Sequence, residues 1–198
     1  MSKLSELYRE IENCQLCETL ASTRNKVVPG SGNENAQIVF IGEAPGYHED
    51  QQGLPFVGQA GQFLDYLLNS INLQRSDVYI CNVIKCRPPG NRDPLPTEIK
   101  NCQKWLDRQL ELISPKIIVT LGRYSLAKFF PGETIGKVHG KERKQDNIIY
   151  FPMYHPAAAL HQQSLRQTIE EDIKRIPSLL SNYMPAAEEN KPTQLSLF

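Results

Sequence analysis

The sequence predicts an α/β fold of three layers, a mostly parallel sheet with helices on both faces. Two observations carry this. Four short apolar runs, "AQIVFIG", "DVYICNVI", "KIIVTLG" and "NIIYFPM", have the length and β-branched content of buried strands. Between them lie longer segments with apolar residues at helical spacing. Strands that alternate with helices favour parallel pairing through crossover connections.

The elements follow in order. Leu4, Leu7, Tyr8 and Ile11 recur at helical spacing and predict a short amphipathic helix. "AQIVFIG" is the first strand, broken by "GEAPG". "GQAGQFLDYLLNSINL" then places Phe63, Leu64, Leu67, Leu68 and Ile71 on one helical face. "DVYICNVI" is the second strand, and "KCRPPGNRDPLP", with four prolines, is a loop. Ile99, Cys102, Leu106, Leu110 and Ile113 form the apolar stripe of the next helix. "KIIVTLG" is the third strand, followed by a short helix, and "NIIYFPM" is the fourth, followed by "YHPAAAL". The last helix carries Leu165, Ile169, Ile173, Ile176 and Leu180, with a kink expected at Pro177. No internal repeat is visible. Residues 1–182 read as one domain, and residues 183–198, without periodicity, as a disordered tail.

Composition narrows the function. The 198 residues carry 22 basic and 22 acidic side chains, a net charge of zero, which argues against broad electrostatic coating of nucleic acid or membrane. It leaves room for a few phosphate contacts at one place. No apolar run reaches the ~18 residues of a membrane span. The start, "MSKLSELYREIENC", lacks the pattern of a signal peptide. A reducing cytoplasm is therefore expected, in which the five cysteines are ligands or free thiols.

Cys14 and Cys17 form a C-x2-C pair, Cys86 opens the proline-rich loop, and Cys102 follows 16 positions later. Four thiolates suit either zinc or a [4Fe–4S] cluster, and the spacing does not choose between them. The alternative makes Cys102 a core residue on its apolar stripe and the first pair incidental thiols. Cys81, inside the second strand, reads as a buried free thiol. Parallel sheets bind ligands beyond the carboxyl ends of their strands. Three unusual loops fall there: "GEAPG", "KCRPPGNR" and "YHPAAAL".

Together these motifs resemble the family 4 uracil-DNA glycosylases, the iron–sulfur type. "GEAPG" followed by "ED" and "GLPFVGQAGQFLD" resembles the family's first motif and its extension. "NVIKCRPPGNRDP" resembles the middle segment and "HPAA" the last motif. The match covers nearly all of residues 1–180. The resemblance implies a central four-stranded parallel sheet and a [4Fe–4S] cluster on Cys14, Cys17, Cys86 and Cys102. It implies excision of uracil from DNA by base flipping and hydrolysis of the N-glycosidic bond. His155, just past the fourth strand and followed by Pro156, is the candidate donor to uracil O2, the role the family gives its motif histidine. Asn82, near the end of the second strand, can donate to O4 and accept from N3–H, contacts that cytosine mismatches. By resemblance Phe56 stacks on the flipped base and Glu49 excludes the methyl group of thymine. Gly42 leaves room for close approach of backbone to base. Ala44 stands where family 1 relatives carry aspartate, so no strong general base is evident. Glu43 is the group expected to orient water or stabilise the cationic sugar.

Grip on DNA is expected from Lys137, Lys141 and Arg143 in "GKVHGKERK", and from Lys85, Arg87 and Arg92 around the proline loop. Leu160 is the nearest large apolar residue that could fill the hole left by the base. The final "QLSLF" resembles the pentapeptide that docks on the bacterial β sliding clamp, with Gln194 at the rim and Leu195, Leu197 and Phe198 in an apolar groove. The expectation is a monomer in bacterial cytoplasm, associated with the nucleoid and with no membrane contact. Competing readings are a non-catalytic iron–sulfur redox protein, a uracil-DNA binder that becomes covalently trapped, and a zinc-stabilised nucleic-acid module.

Overall fold

A computed structural model describes residues 2–183 of the chain. In chain order the helices and strands begin with α1 (Lys3–Glu12), α2 (Glu18–Thr23), β1 (Ser31–Gly32), β2 (Ile38–Gly42), α3 (Tyr47–Gln52), α4 (Gln59–Ser70) and β3 (Tyr79–Asn82). They continue with α5 (Pro96–Ile113), β4 (Ile117–Leu121), α6 (Arg123–Phe129), α7 (Ile135–Val138), β5 (Arg143–Gln145), β6 (Ile148–Met153), α8 (Pro156–His161), α9 (Gln163–Ile173) and α10 (Ile176–Ser181).

One sheet runs in the order β1-β3-β2-β4-β6-β5. Its inner strands β3, β2, β4 and β6 are all parallel, and they are the four runs legible in the sequence. The expected count is corrected at the edges: β1 and β5 add short antiparallel strands, giving six. "SG" and "RKQ" carry no strand pattern of their own, and become strands only because a neighbour offers unpaired backbone groups.

The period of two along each strand sorts side chains between two cores. Ile38, Phe40, Ile80, Val119 and Phe151 face α4 and α9, where Leu64, Leu67, Ile169 and Ile173 meet them. Val39, Ile41, Cys81 and Ile118 face the other way, onto Leu7 and Ile11 of α1 and Trp105 and Leu106 of α5. Each such aliphatic side chain contributes about 1.5–3 kcal/mol by leaving water. Cys81 is fully buried and unpaired, as expected.

Local chemistry sets the ends of the helices. The Ser2 hydroxyl caps α1 by accepting from Ser5 N at 3.1 Å. Pro96 supplies the preformed first turn of α5, and Glu98 reaches back to accept from Leu95 N at 2.8 Å. The proline-rich stretch is therefore not all loop: it contains a 3-10 turn at Pro89–Asn91 and ends inside α5. "YHPAAAL" is likewise not a loop. His155 is the N-cap of α8, with Pro156 in the first turn. The kink expected at Pro177 is a full break, with α9 ending at Ile173 and α10 starting at Ile176.

Leu106 joins α5 to the core beneath α1 and is fully buried. Leu106→Ala is expected to cost about 2–5 kcal/mol of stability, read from the midpoint of urea unfolding at unchanged slope.

Candidate active site and cysteine cavity

The carboxyl ends of β2, β3 and β6 open onto a pocket of about 370 Å³. Its lining includes Glu43, Ala44, Glu49, Phe56, Asn82 and His155, six residues that the sequence singled out. Pro45, Gly46, Ala60, Asn91, Arg92 and Ala157 complete much of the wall. Gly42 lies directly behind it. A Cβ there would stand 2.4 Å from Asn82 Oδ1 and 2.6 Å from the tip of the Phe56 ring. Only glycine leaves both groups in place.

Asn82 ends β3, in register with Gly42 at the end of β2. Its side chain is 2% exposed, and Oδ1 has no hydrogen-bond partner among the described residues. A buried acceptor left open costs about 1–3 kcal/mol. A donor entering the pocket would recover that cost.

Phe56 is held in a left-handed backbone conformation, φ 54°, which is unfavourable for an aromatic residue. The guanidinium of Arg75 donates to Pro55 O at 2.9 Å and also to Phe56 O, while pairing with Asp65 at 2.5 Å. Gly61 of α4 packs against the same peptide, where a Cβ would fall 1.7 Å from Phe56 O. The ring thus held lies 5.4 Å from that of His155 at an interplanar angle of 25°.

His155 Nδ1 accepts from Ala157 N at 3.1 Å, so a neutral ring carries its proton on Nε2. Burial pulls its pKa down to about 4, against the opposing charge of Glu49. The imidazole is therefore neutral at pH 7. Glu49 accepts from Gly46 N at 3.1 Å, Val57 N at 2.8 Å and Gly58 N at 2.9 Å, tying the "GEAPG" turn to the Phe56 loop. Burial raises the pKa of Glu43, helped by Asp93 and opposed by Arg123. Asp93 and Arg123 form an ion pair of 2.5 Å. Neither they nor Arg75 was singled out from the sequence: Arg75 and Arg123 stand in no motif, and Asp93, though inside "NVIKCRPPGNRDP", pairs with a residue 30 positions away.

The basic residues divide. Lys85 is corrected: it is 1% exposed, and Nζ donates to Asn82 O at 2.8 Å, so it is unavailable to a phosphate. The bend that follows β3 carries it inward. Arg92 forms a two-pronged pair with Glu98, at 3.0 and 2.7 Å, on the pocket wall. Arg87 lies 5.1 Å over the Tyr47 ring and donates to Asn91 Oδ1. Lys137 and Lys141 are exposed, with Lys141 Nζ on Lys137 O at 2.9 Å, and Arg143 pairs with Glu133 at 2.9 Å. Leu160 projects from α8 and is 44% exposed. Gln194, Leu195, Leu197 and Phe198 lie outside the described residues.

Cys14, Cys17, Cys86 and Cys102 line one small cavity, walled also by Arg24, Lys85, Asn101 and Trp105. None of the cysteines is in a disulfide. Three N–H donors are trained on three different sulfurs: Arg24 Nη1 on Cys86 at 3.2 Å, Trp105 Nε1 on Cys14 at 3.4 Å and Asn101 Nδ2 on Cys17 at 3.6 Å. No three His, Cys, Asp or Glu side chains among the described residues are gathered as ligands of a single ion. The donor set fits an all-thiolate group, because N–H donors around sulfur offset thiolate charge. No helix among the described residues is long and apolar enough to cross a membrane.

Comparison with known proteins identifies the family. The family model described as "Uracil DNA glycosylase superfamily" matches residues 29–176. A type-4 uracil-DNA glycosylase of Archaeoglobus fulgidus is 47% identical over 194 residues, covering 93% of this chain and 97% of the relative. Those of Sulfurisphaera tokodaii and Thermotoga maritima are 48% and 42% identical, each covering 90% of this chain. With the family model spanning the pocket-bearing sheet and relatives matching almost end to end, this chain belongs to the uracil DNA glycosylase superfamily, alongside its type-4 members.

Proposed function

We propose that this chain is a monofunctional uracil-DNA glycosylase, which turns uracil out of DNA into the pocket and hydrolyses its N-glycosidic bond, leaving an abasic site. Beyond the type-4 relatives, one observation carries the reading: the buried, unpartnered Oδ1 of Asn82, in the pocket that the Phe56 ring and a neutral His155 also line.

Unstacking a base costs a few kcal/mol, which the pocket must offset. Phe56 supplies a ring on which the base stacks. Asn82 Oδ1 accepts from uracil N3–H, and its NH2 donates to O4. Cytosine presents a bare ring nitrogen and an amino group at those atoms, so both contacts become repulsive. As the bond to the sugar breaks, negative charge grows on the base. His155 Nε2–H then donates to O2, a donor already in place that needs no proton transfer. Glu43 stands at the rim of the pocket, where it orients the attacking water and opposes the positive charge on the sugar. Glu49 holds the two loops together and bounds the pocket beside C5, where thymine carries its methyl group. Gly42 and Ala44 leave the floor clear.

Arg87, Arg92, Lys137, Lys141 and Arg143 supply phosphate contacts, with Leu160 filling the gap in the stack. Cys14, Cys17, Cys86 and Cys102 hold a [4Fe–4S] cluster, which would cross-link the α1–α2 segment to the proline-rich loop. The terminal Gln194, Leu195, Leu197 and Phe198 dock on a bacterial β sliding clamp, bringing the enzyme to newly copied DNA in the cytoplasm.

His155→Ala is expected to lower kcat/KM on a uracil oligonucleotide by about 100-fold or more. Because the folded-state pKa lies near 4, the parent should show no inflection near pH 6.5 attributable to this ring, and lose the neutral form only as pH falls through about 4. A pH–rate profile, followed by alkaline cleavage at abasic sites, checks both points.

Asn82→Asp should gain cleavage at cytosine while losing most activity on uracil, because a protonated carboxyl can donate to the cytosine ring nitrogen. Parallel assays on uracil and cytosine oligonucleotides measure the ratio.

Removal of residues 194–198 should leave cleavage of short oligonucleotides unchanged and abolish binding to purified β clamp in a surface-immobilised binding assay. Clamp affinity equal to that of the full chain would refute the assignment.

A further inference from the structure

Lys85 is a buried cation to which the chemistry above gives no task. Its side chain is almost fully buried, with Nζ on Asn82 O at 2.8 Å. No carboxylate stands within ion-pair distance of it among the described residues. Glu98 shares the cavity wall, but both its oxygens are held by Arg92. A buried ammonium without a counter-charge costs several kcal/mol, and is retained only where an anion or strong acceptors compensate it. Lys85 lines the cavity of the four cysteines, beside Cys86 in the chain. Arg24 reaches the same cavity and donates to the Cys86 sulfur.

We infer that Lys85 is the buried counter-charge of the group held by the four cysteines, and that its bond to Asn82 O ties the base-reading end of β3 to that group. The inference rests on the cluster reading above. A [4Fe–4S] core of charge about +2 on four thiolates carries about −2 overall. Lys85 and Arg24 place two positive charges on the wall around it. One side chain thus shares the cavity wall with the four cysteines and grips the carbonyl of Asn82, whose Oδ1 opens into the pocket. Lys85 is a positioning residue: it touches neither base nor sugar, and acts through Asn82.

The test uses the full chain purified with its iron. Lys85→Met, which keeps the length of the stem and removes the charge, is compared with the parent and with Lys85→Arg. Three quantities are read: the midpoint potential of the cluster, the rate of iron loss to a chelator, and the ratio of kcat/KM on uracil to that on cytosine. Lys85→Met should have a more negative potential, because losing a nearby positive charge disfavours the added electron. It should release iron about tenfold faster and discriminate less between the two bases. Lys85→Arg should restore the potential. A separate measurement needs no variant: stripping iron from the parent should increase amide hydrogen exchange in residues 80–85. That measurement decides the question if Lys85→Met does not fold. A parent that holds iron, with a Lys85→Met potential and iron-release rate equal to its own, would overturn the inference and leave the cluster intact. Unchanged exchange on stripping would also overturn it. A parent purified without iron would remove both readings.

Discussion

The site depends on one register: Gly42 at the end of β2 opposite Asn82 at the end of β3. Parallel pairing brings the two termini side by side, and the absent side chain of Gly42 makes the space into which the Asn82 amide and the Phe56 ring both project. A shift by one residue would turn Asn82 into the opposite core. The hydrophobic alternation that fills both faces of the sheet therefore fixes the proposed recognition amide as well. Function and packing share a constraint here.

Around that register the protein spends backbone strain and polar burial in a small volume. Phe56 sits at a positive φ secured by Arg75 and by the close approach of Gly61. Glu49 binds three amides that would otherwise belong to two independent loops. His155 is neutral because burial disfavours its charge, and its tautomer follows from the Ala157 amide. These features leave little to reorganise when a base enters, which is the condition under which fixed dipoles stabilise a developing charge most effectively. The proposed discrimination against cytosine draws on the same rigidity: an amide free to rotate would accommodate either base.

The cysteine cavity lies next to this site through two adjacent residues, Lys85 and Cys86, at the exit of β3. One short stretch serves both places, with Asn82 in the pocket and Cys86 in the cavity wall. The N–H donors directed at three of the four sulfurs, from Arg24, Asn101 and Trp105, come from α5 and from the segment after α2. They make the cavity a junction among parts of the chain distant in sequence.

What the sequence determined by itself was local. Four runs of β-branched residues separated by amphipathic segments dictate a parallel sheet, and the odd loops at the strand ends marked where the pocket forms. Asn82, His155 and the four cysteines could be singled out because each stands in a short motif. Only the tertiary structure decided the rest. The edge strands β1 and β5 exist through pairing with a neighbour and have no pattern of their own. Lys85 looked like a surface cation, because a charge in a basic, proline-rich stretch is usually solvated; the turn after β3 carries it inward instead. Arg75, Asp93 and Arg123 act across separations of ten to eighty residues, and no local rule relates them to Phe56 or Glu43. Periodicity records which face of an element is buried. Which distant group meets that face depends on how the layers close.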